Sequence, residues 1–359
     1  MDTQPRASRL PALAELLLGL LWIVDGVLQF QPRLTNDGFA ASFLGYGTIG
    51  TPPPVANLLR WALPLLAPHG ASLSLAAGGF QLAVGASLVG LVLEGTWLFR
   101  FAPLAKSHSA ATQRLHRLAL LTSAGWALVV WLFGEGMGAM LLPGASMLTG
   151  APGAALVYCE VSLLLLLQMD QREPRVTERP ALWRWAWIST WLVPSLVQLG
   201  SSAIHSHALS ETLLSQMRGE PGWLAHANAM LASVAGRHPL AVSIVALIGQ
   251  GAIGISVLWA RKRPWLAKAG VRAGVLLSLC YFVIGQDFGG LLTGSATDLS
   301  LGPVMVILAL LVYWRVLVVP RSEESLGIPR ATHASVSPRS IPRLSATIAM
   351  APARDTEGS

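Results

Sequence analysis

Eight long apolar stretches divide this chain, at 12–30, 71–96, 117–134, 152–169, 183–200, 239–260, 267–285 and 302–320. A helix needs about 20 predominantly apolar residues to cross ~30 Å of hydrocarbon, so each stretch is long enough to span. The predicted fold class is all-α integral membrane, with eight transmembrane helices. Composition agrees: 53% of the residues are hydrophobic and only 12% charged, against about 25% charged in a soluble domain. Arg6 and Arg9 ahead of the first run resemble a signal peptide, but the run continues through Trp22 to Leu28 without a small-residue cleavage site. A retained first helix is expected. Two shorter stretches, 54–67 and 221–236, carry charged or polar residues such as Arg60 and His226 and are expected as interfacial helices on the outer side.

The basic residues are distributed by side. With the N-terminus in the cytoplasm, every Lys and Arg except Arg33, Arg60, Arg218 and Arg237 falls on the inner side. This is the positive-inside asymmetry. The net charge of +7 therefore faces the inner leaflet, and nucleic-acid binding is not needed to explain it. The expected setting is a bacterial-type plasma (inner) membrane, multi-pass, with both termini cytoplasmic and the lipid bilayer as the principal partner. Beyond Pro320 the chain is rich in Ser, Pro and Arg without apolar periodicity, which predicts disorder.

The two halves match at constant offsets. Trp22 falls on Trp191, Gln29 on Gln198, Pro52 on Pro221, His69 on His238, Gln81 on Gln250 and Gly85 on Gly254. A second constant offset pairs Gly134 with Gly285, Gly138 with Gly289, Leu141 with Leu292 and Pro152 with Pro303. The offset changes in the 97–117 loop, where one copy carries an insertion. The predicted organisation is a cytoplasmic N-terminus (1–10), a first four-helix membrane repeat (11–169), a cytoplasmic linker (170–179), a second four-helix repeat (180–320) and a cytoplasmic tail (321–359). Four spans per unit is an even number, so the repeats are parallel.

Chemistry concentrates in two glycine-rich outer segments, 133–152 and 284–303. Polar backbone at membrane depth must be covered by protein or line an aqueous cavity. On one reading the segments present Glu135, Gln286, Asp287 and Asp298 to an outward-facing site. On the other they are tight hairpins whose Ser146, Thr297 or Asp298 cap helix N-termini. Glu135 aligns with Gln286 and Gly136 with Asp287, so an acidic site would be asymmetric. Asp25 lies inside the first span with Gln29 one turn on; it either faces the bundle interior or is solvated near the outer surface. Its counterpart is Pro194. Gln81 and Gln250 suit interhelical hydrogen bonds. Glu160 faces no acid in the second copy, where Leu311 stands. His205 and His207 share a face only in an extended segment, a thin basis for a metal site. His108 and His116 look like loop residues. Cys159 and Cys280 sit in separate apolar runs and form no Cys-x-x-Cys.

Asp25-Gly26 with Gln29, a long outer segment, and a second span with Gln81-x-x-x-Gly85 resemble the DoxX-like four-helix membrane family, over 11–169 and 180–319 as two fused copies. In that family an acid usually precedes the glycine-rich stretch of the second span; Gln81 and Gln250 stand there instead. Some members are membrane subunits of quinone-linked oxidoreductases, including the small DoxD subunit of thiosulfate:quinone oxidoreductase. The resemblance thus implies the membrane subunit or scaffold of a quinone-linked redox module. Trp22, Gln29, Trp191 and Gln198, with Gln286 and Asp298, would form its pocket, and a redox partner protein would supply the cofactor. A second expectation is a small-solute or ion transporter using the cleft between the units, lined by Asp25, Glu135 and Asp287. A third is a non-catalytic membrane assembly factor.

Overall fold

The structure, a computed structural model, describes residues 9–35, 45–101, 110–170, 180–217, 219–294 and 296–318. Residues 1–8, residues 102–109 of the 97–117 loop including His108, residues 171–179 of the linker, and the tail from 319 lie outside this set, as does Arg218. The described residues are all helical or irregular. In order, α1 spans Arg9–Leu28, α2 Gly45–Gly50, α3 Pro53–Leu66, α4 Gly70–Phe101, α5 Ala110–Val129 and α6 Ala154–Asp170. They continue with α7 Pro180–Ile204, α8 Ala208–Gln216, α9 Gly222–Arg237, α10 Pro239–Ile255, α11 Pro264–Val283 and α12 Leu301–Val312.

Six helical stretches are long and apolar enough to cross a membrane: Leu10–Leu28, Pro53–Glu94, Ala110–Gly134, Pro239–Trp259, Pro264–Thr293 and Leu301–Val318. They mark the chain as an integral membrane protein. Large apolar side chains point outward along them: Val245 is 70% exposed and Leu276 66%. A soluble surface seldom carries so much contiguous apolar area. The other two expected spans differ in kind. The run at 152–169 becomes α6, apolar but shorter over Ala154–Met169. The run at 183–200 lies in α7, which is long but carries Arg184, Thr190, Ser195 and Gln198.

The predicted interfacial stretches 54–67 and 221–236 do form helices, α3 and α9. The first is not set apart from the span that follows. One 3-10 turn, Ala67–His69, joins α3 to α4, and Pro68 sits at its start, where a missing N–H costs nothing.

Packing is built from helix pairs. α1 lies along α4, α7 along α10, α5 along α6 and α11 along α12; α12 also touches α1, α6 and α7. The α1–α4 contact is close because glycines meet there. A Cβ on Gly26 would lie 2.9 Å from the Gly78 carbonyl oxygen, and one on Gly85 would lie 2.6 Å from the Gly19 carbonyl oxygen. Small residues at such crossings let helices approach in lipid, where no hydrophobic force drives them together. A neighbouring face repeats at helical spacing: Ala14, Leu18, Trp22 and Asp25 of α1, with Gln29 just after it, are all buried. At the other end of the bundle Glu15 pairs with His116, which lies on α5 and not in a loop.

Both glycine-rich segments contain a run of four residues in left-handed conformation. Gly136, Met137, Gly138 and Ala139 have φ of 57°, 59°, 63° and 55°. Asp287, Phe288, Gly289 and Gly290 have φ of 53°, 54°, 68° and 74°. Left-handed backbone costs a non-glycine residue roughly 1–2 kcal/mol, so each run must be held by its surroundings.

Candidate functional site

Asp25 is 2% exposed. It sits on the buried face of α1, so solvation at the outer surface does not account for it. One carboxylate oxygen accepts a 2.7 Å hydrogen bond from the Tyr158 hydroxyl on α6, and the other accepts one at 3.2 Å from the backbone N–H of Leu299. Trp22, one turn earlier, stacks edgewise on Tyr158 with ring centroids 4.7 Å apart. Its indole N–H donates to Ser123 on α5, whose hydroxyl meets that of Ser162 on α6. Three helices are thereby tied together around Asp25.

Beside this network lies a cavity of about 330 Å³. α1 contributes Trp22, Asp25 and Gln29; α4 contributes Gln81; α6 contributes Tyr158. The first glycine-rich segment adds Glu135, and the second adds Thr297, Asp298 and Ser300. The cavity therefore lies within the first group of four long helices and is roofed by a segment from the second half. The acids meet where a segment of the second half covers the first group of helices.

The roof is pinned by three alternate residues just after α1. Gln29 Nε2 donates to the Thr297 carbonyl and Gln31 Nε2 to the Ala296 carbonyl, both at 2.9 Å, and Arg33 donates to the Thr293 carbonyl at 3.0 Å. Asp298 folds its carboxylate onto the Ser300 N–H and the Thr297 hydroxyl. Neither Ser146, Thr297 nor Asp298 caps a helix: α6 starts at Ala154, and α12 has Ser300 as its N-cap without a side-chain bond.

Glu135 accepts a 3.0 Å hydrogen bond from the Ala155 N–H on one oxygen; the other, Oε2, has no partner. Part of the side chain faces the cavity, yet protein atoms crowd it closely. Gly153 makes the space: a Cβ there would lie 2.2 Å from Glu135 Oε2, and its φ is +103°. Burial, then the negative charge of Asp298, pushes the Glu135 carboxyl up to about 8, against the pull of the Ala155 and Ala154 N–H groups. Burial also raises Asp298, opposed by its bonds to Ser300 and Thr297. Two lining amides complete the picture. Gln29 Oε1 and Gln81 Oε1 are buried without a partner. The Gln29 amide has one possible orientation, because its nitrogen must face the Thr297 carbonyl. Among the described residues no Lys, Arg or His lines the cavity.

The other expected residues lie elsewhere. Asp287 and Gln286 do not reach the cavity. The left-handed turn swings Asp287 toward α9, where Asn228 donates to it at 2.6 Å while accepting from the Gly285 N–H. The same Asn228 amide contacts Glu220, whose carboxyl is raised to about 7 by burial, then by its hydrogen bond to Asp287 and that residue's charge. Gln286 bridges the two segments, donating to the Met147 carbonyl and accepting from Ser300 and the Gly302 N–H. Trp191 is buried in the core, and Gln198 donates to Ser243. Gln250 accepts from Ser195 and donates to Tyr281. Gln198 and Gln250 thus find protein partners, whereas Gln29 Oε1 and Gln81 Oε1 do not. Glu160 accepts from Thr190 of α7. His205 and His207 stand exposed in the turn between α7 and α8, not in an extended segment. Among the described residues no group of three or more His, Cys, Asp or Glu is arranged to hold a metal ion.

Tyr158 was the residue hidden from a sequence reading. The one available signal was a hydroxyl-bearing ring inside an apolar run, with Ala309 at the matching position. The donors of Trp22 and Tyr158 and one N–H of Gln29 are bonded to protein. The unpartnered oxygens are acceptors, matched by donors from water or a ligand. No protein-family model, curated protein or solved structure matches this chain.

Proposed function

We propose that this membrane protein binds a small polar solute in the cavity of its first half and moves it across the bilayer. Three carboxyl groups from three separate segments, Asp25, Glu135 and Asp298, line one cavity that, among the described residues, has no cationic side chain in its wall. That observation carries the reading. Ionisable groups buried in a membrane protein are costly, and they mark ion, proton or substrate pathways. Asp25→Asn in proteoliposomes tests it. The substitution is expected to abolish a solute flux that wild-type protein supports. Absence of flux from wild type across a panel of small ions, amines and polyols would overturn it.

The reading includes eight spans arranged as two parallel, DoxX-like units with the glycine-rich segments on the outer side. The two left-handed runs fall at the offset already found in the sequence, Gly136 to Asp287 and Ala139 to Gly290. Their contacts are reciprocal as well. The second segment touches the end of α1 through Thr293 and Arg33, and the first touches the end of α7 through Gly144 and Ser201. In this arrangement α6 and α7 count as spans, and only one unit keeps a working site.

A further inference from the structure

We infer that the solute is a small protonated amine, held among Asp25, Glu135 and Asp298 beneath the roof segment and taken up in exchange for a proton. This rests on the solute-binding reading above and names its substrate class.

The open valences are the first argument. Gln29 Oε1 and Gln81 Oε1 are buried acceptors without partners on residues that are 2% and 5% exposed, and Glu135 Oε2 is a third unpartnered oxygen. A primary ammonium carries three donors and no acceptor. Its charge matches the acidic lining, and an uncharged polyol would leave that charge uncompensated. Asp25 keeps acceptor capacity too, because an ionised carboxylate has about four lone-pair sites and two are taken.

Size and surface argue against a bare metal ion. The 330 Å³ cavity holds on the order of ten water-sized groups, far more than one ion fills. The described acids are not grouped to coordinate one. Trp22 and Tyr158 line the cavity, and aromatic rings attract organic cations.

Exchange follows from charge. The groups facing Glu135 are Asp25 on α1, Tyr158 on α6 and Asp298 in the roof, all acidic or neutral. With the cavity free of solute, protons must neutralise the cluster. An arriving ammonium takes over that role: Glu135 passes from carboxyl to carboxylate, its proton leaves to solvent, and net charge is conserved. The high affinity of Glu135 for its proton accords with this.

The test uses purified full-length protein in detergent, titrated calorimetrically with ethylammonium, sodium and 1-propanol in buffers of different ionisation heat. Ethylammonium is expected to bind with net proton release near pH 7. Asp25→Asn should weaken binding by about tenfold or more, and Glu135→Gln should remove most of the proton release. If Asp25→Asn does not elute as folded protein, Asp298→Asn carries the same expectation, since an amide keeps the contacts to Thr297 and Ser300. Asp25-dependent binding of sodium or 1-propanol in place of ethylammonium would overturn the amine assignment and leave the solute-binding reading standing. Binding of ethylammonium without proton release would overturn the exchange. No binding by any probe, joined with no flux across the wider panel, would remove both.

Discussion

The Tyr158 hydroxyl donates to Asp25 across 2.7 Å, joining α6 to α1 between residues 133 positions apart. Asp25 is the hinge of the site, since its other oxygen accepts from Leu299 in the roof. One carboxylate thus anchors a helix on one side and the cover of the cavity on the other.

Tyr158→Phe removes that donor while preserving the ring that stacks on Trp22. A buried acceptor left without its donor costs about 1–3 kcal/mol. The variant should therefore unfold at a temperature several degrees lower in detergent. An unchanged melting temperature would mean the bond contributes little to the fold.

Glu135 makes stability depend on pH. Its carboxyl sits at about 8 in the folded protein, against an ordinary value near 4.5. Between those values the folded state keeps a proton that the unfolded chain has released. Stability is therefore greatest below about 4.5 and falls as pH rises toward 8, by up to about 1.4 kcal/mol per pH unit for one proton. Asp298 and Glu220 shift in the same direction and add to the slope. Glu135→Gln should flatten the dependence measured by thermal unfolding across pH 5 to 8.5; a curve as steep as wild type would contradict the assignment.

Gly153→Ala places a methyl group 2.2 Å from Glu135 Oε2 at a φ of +103°. The expected cost is at least about 1 kcal/mol, with Glu135 displaced from the cavity wall. Gly79→Ala is the control: it lies in α4 with nothing within 4 Å of the added carbon, and should be neutral or slightly stabilising. Comparing the two melting temperatures separates strain at the site from a general intolerance of bulk.

Asn228→Ala leaves Asp287 and the Gly285 N–H without their buried partner. Each unsatisfied group costs about 1–3 kcal/mol. The left-handed run 287–290 loses its clamp, so amide exchange over 285–290 should accelerate well beyond that of α11. Uniform acceleration along the chain would point to global destabilisation instead.

Sidedness is accessible to an impermeant thiol reagent after Cys159 and Cys280 are replaced by Ser. Leu141 and Leu292 are exposed and occupy matching positions in the two glycine-rich segments. Leu141→Cys and Leu292→Cys should both label from outside intact cells, and Lys262→Cys only after lysis. Labelling of one but not the other would break the parallel arrangement.

Much of the architecture was legible without coordinates. Apolar length identifies six of the eight expected stretches, since the cost of placing charge in lipid falls on each residue and shows in a local window. Helical spacing put Asp25 and Gln29 on one face of the first span, where the structure has them buried. The glycine-rich segments announced their unusual backbone by composition. Which acids converge was not legible. Asp287 and Asp298 are equally acidic in the sequence, yet only Asp298 reaches the cavity, because a left-handed turn directs Asp287 to Asn228. Gln81 and Gln250 read alike, yet one lines the cavity and the other is satisfied by Ser195 and Tyr281. Hydropathy and periodicity are properties of single segments, whereas the site depends on contacts such as that between Asp25 and Leu299, 274 residues apart. Only the packing of helices against one another decides such contacts.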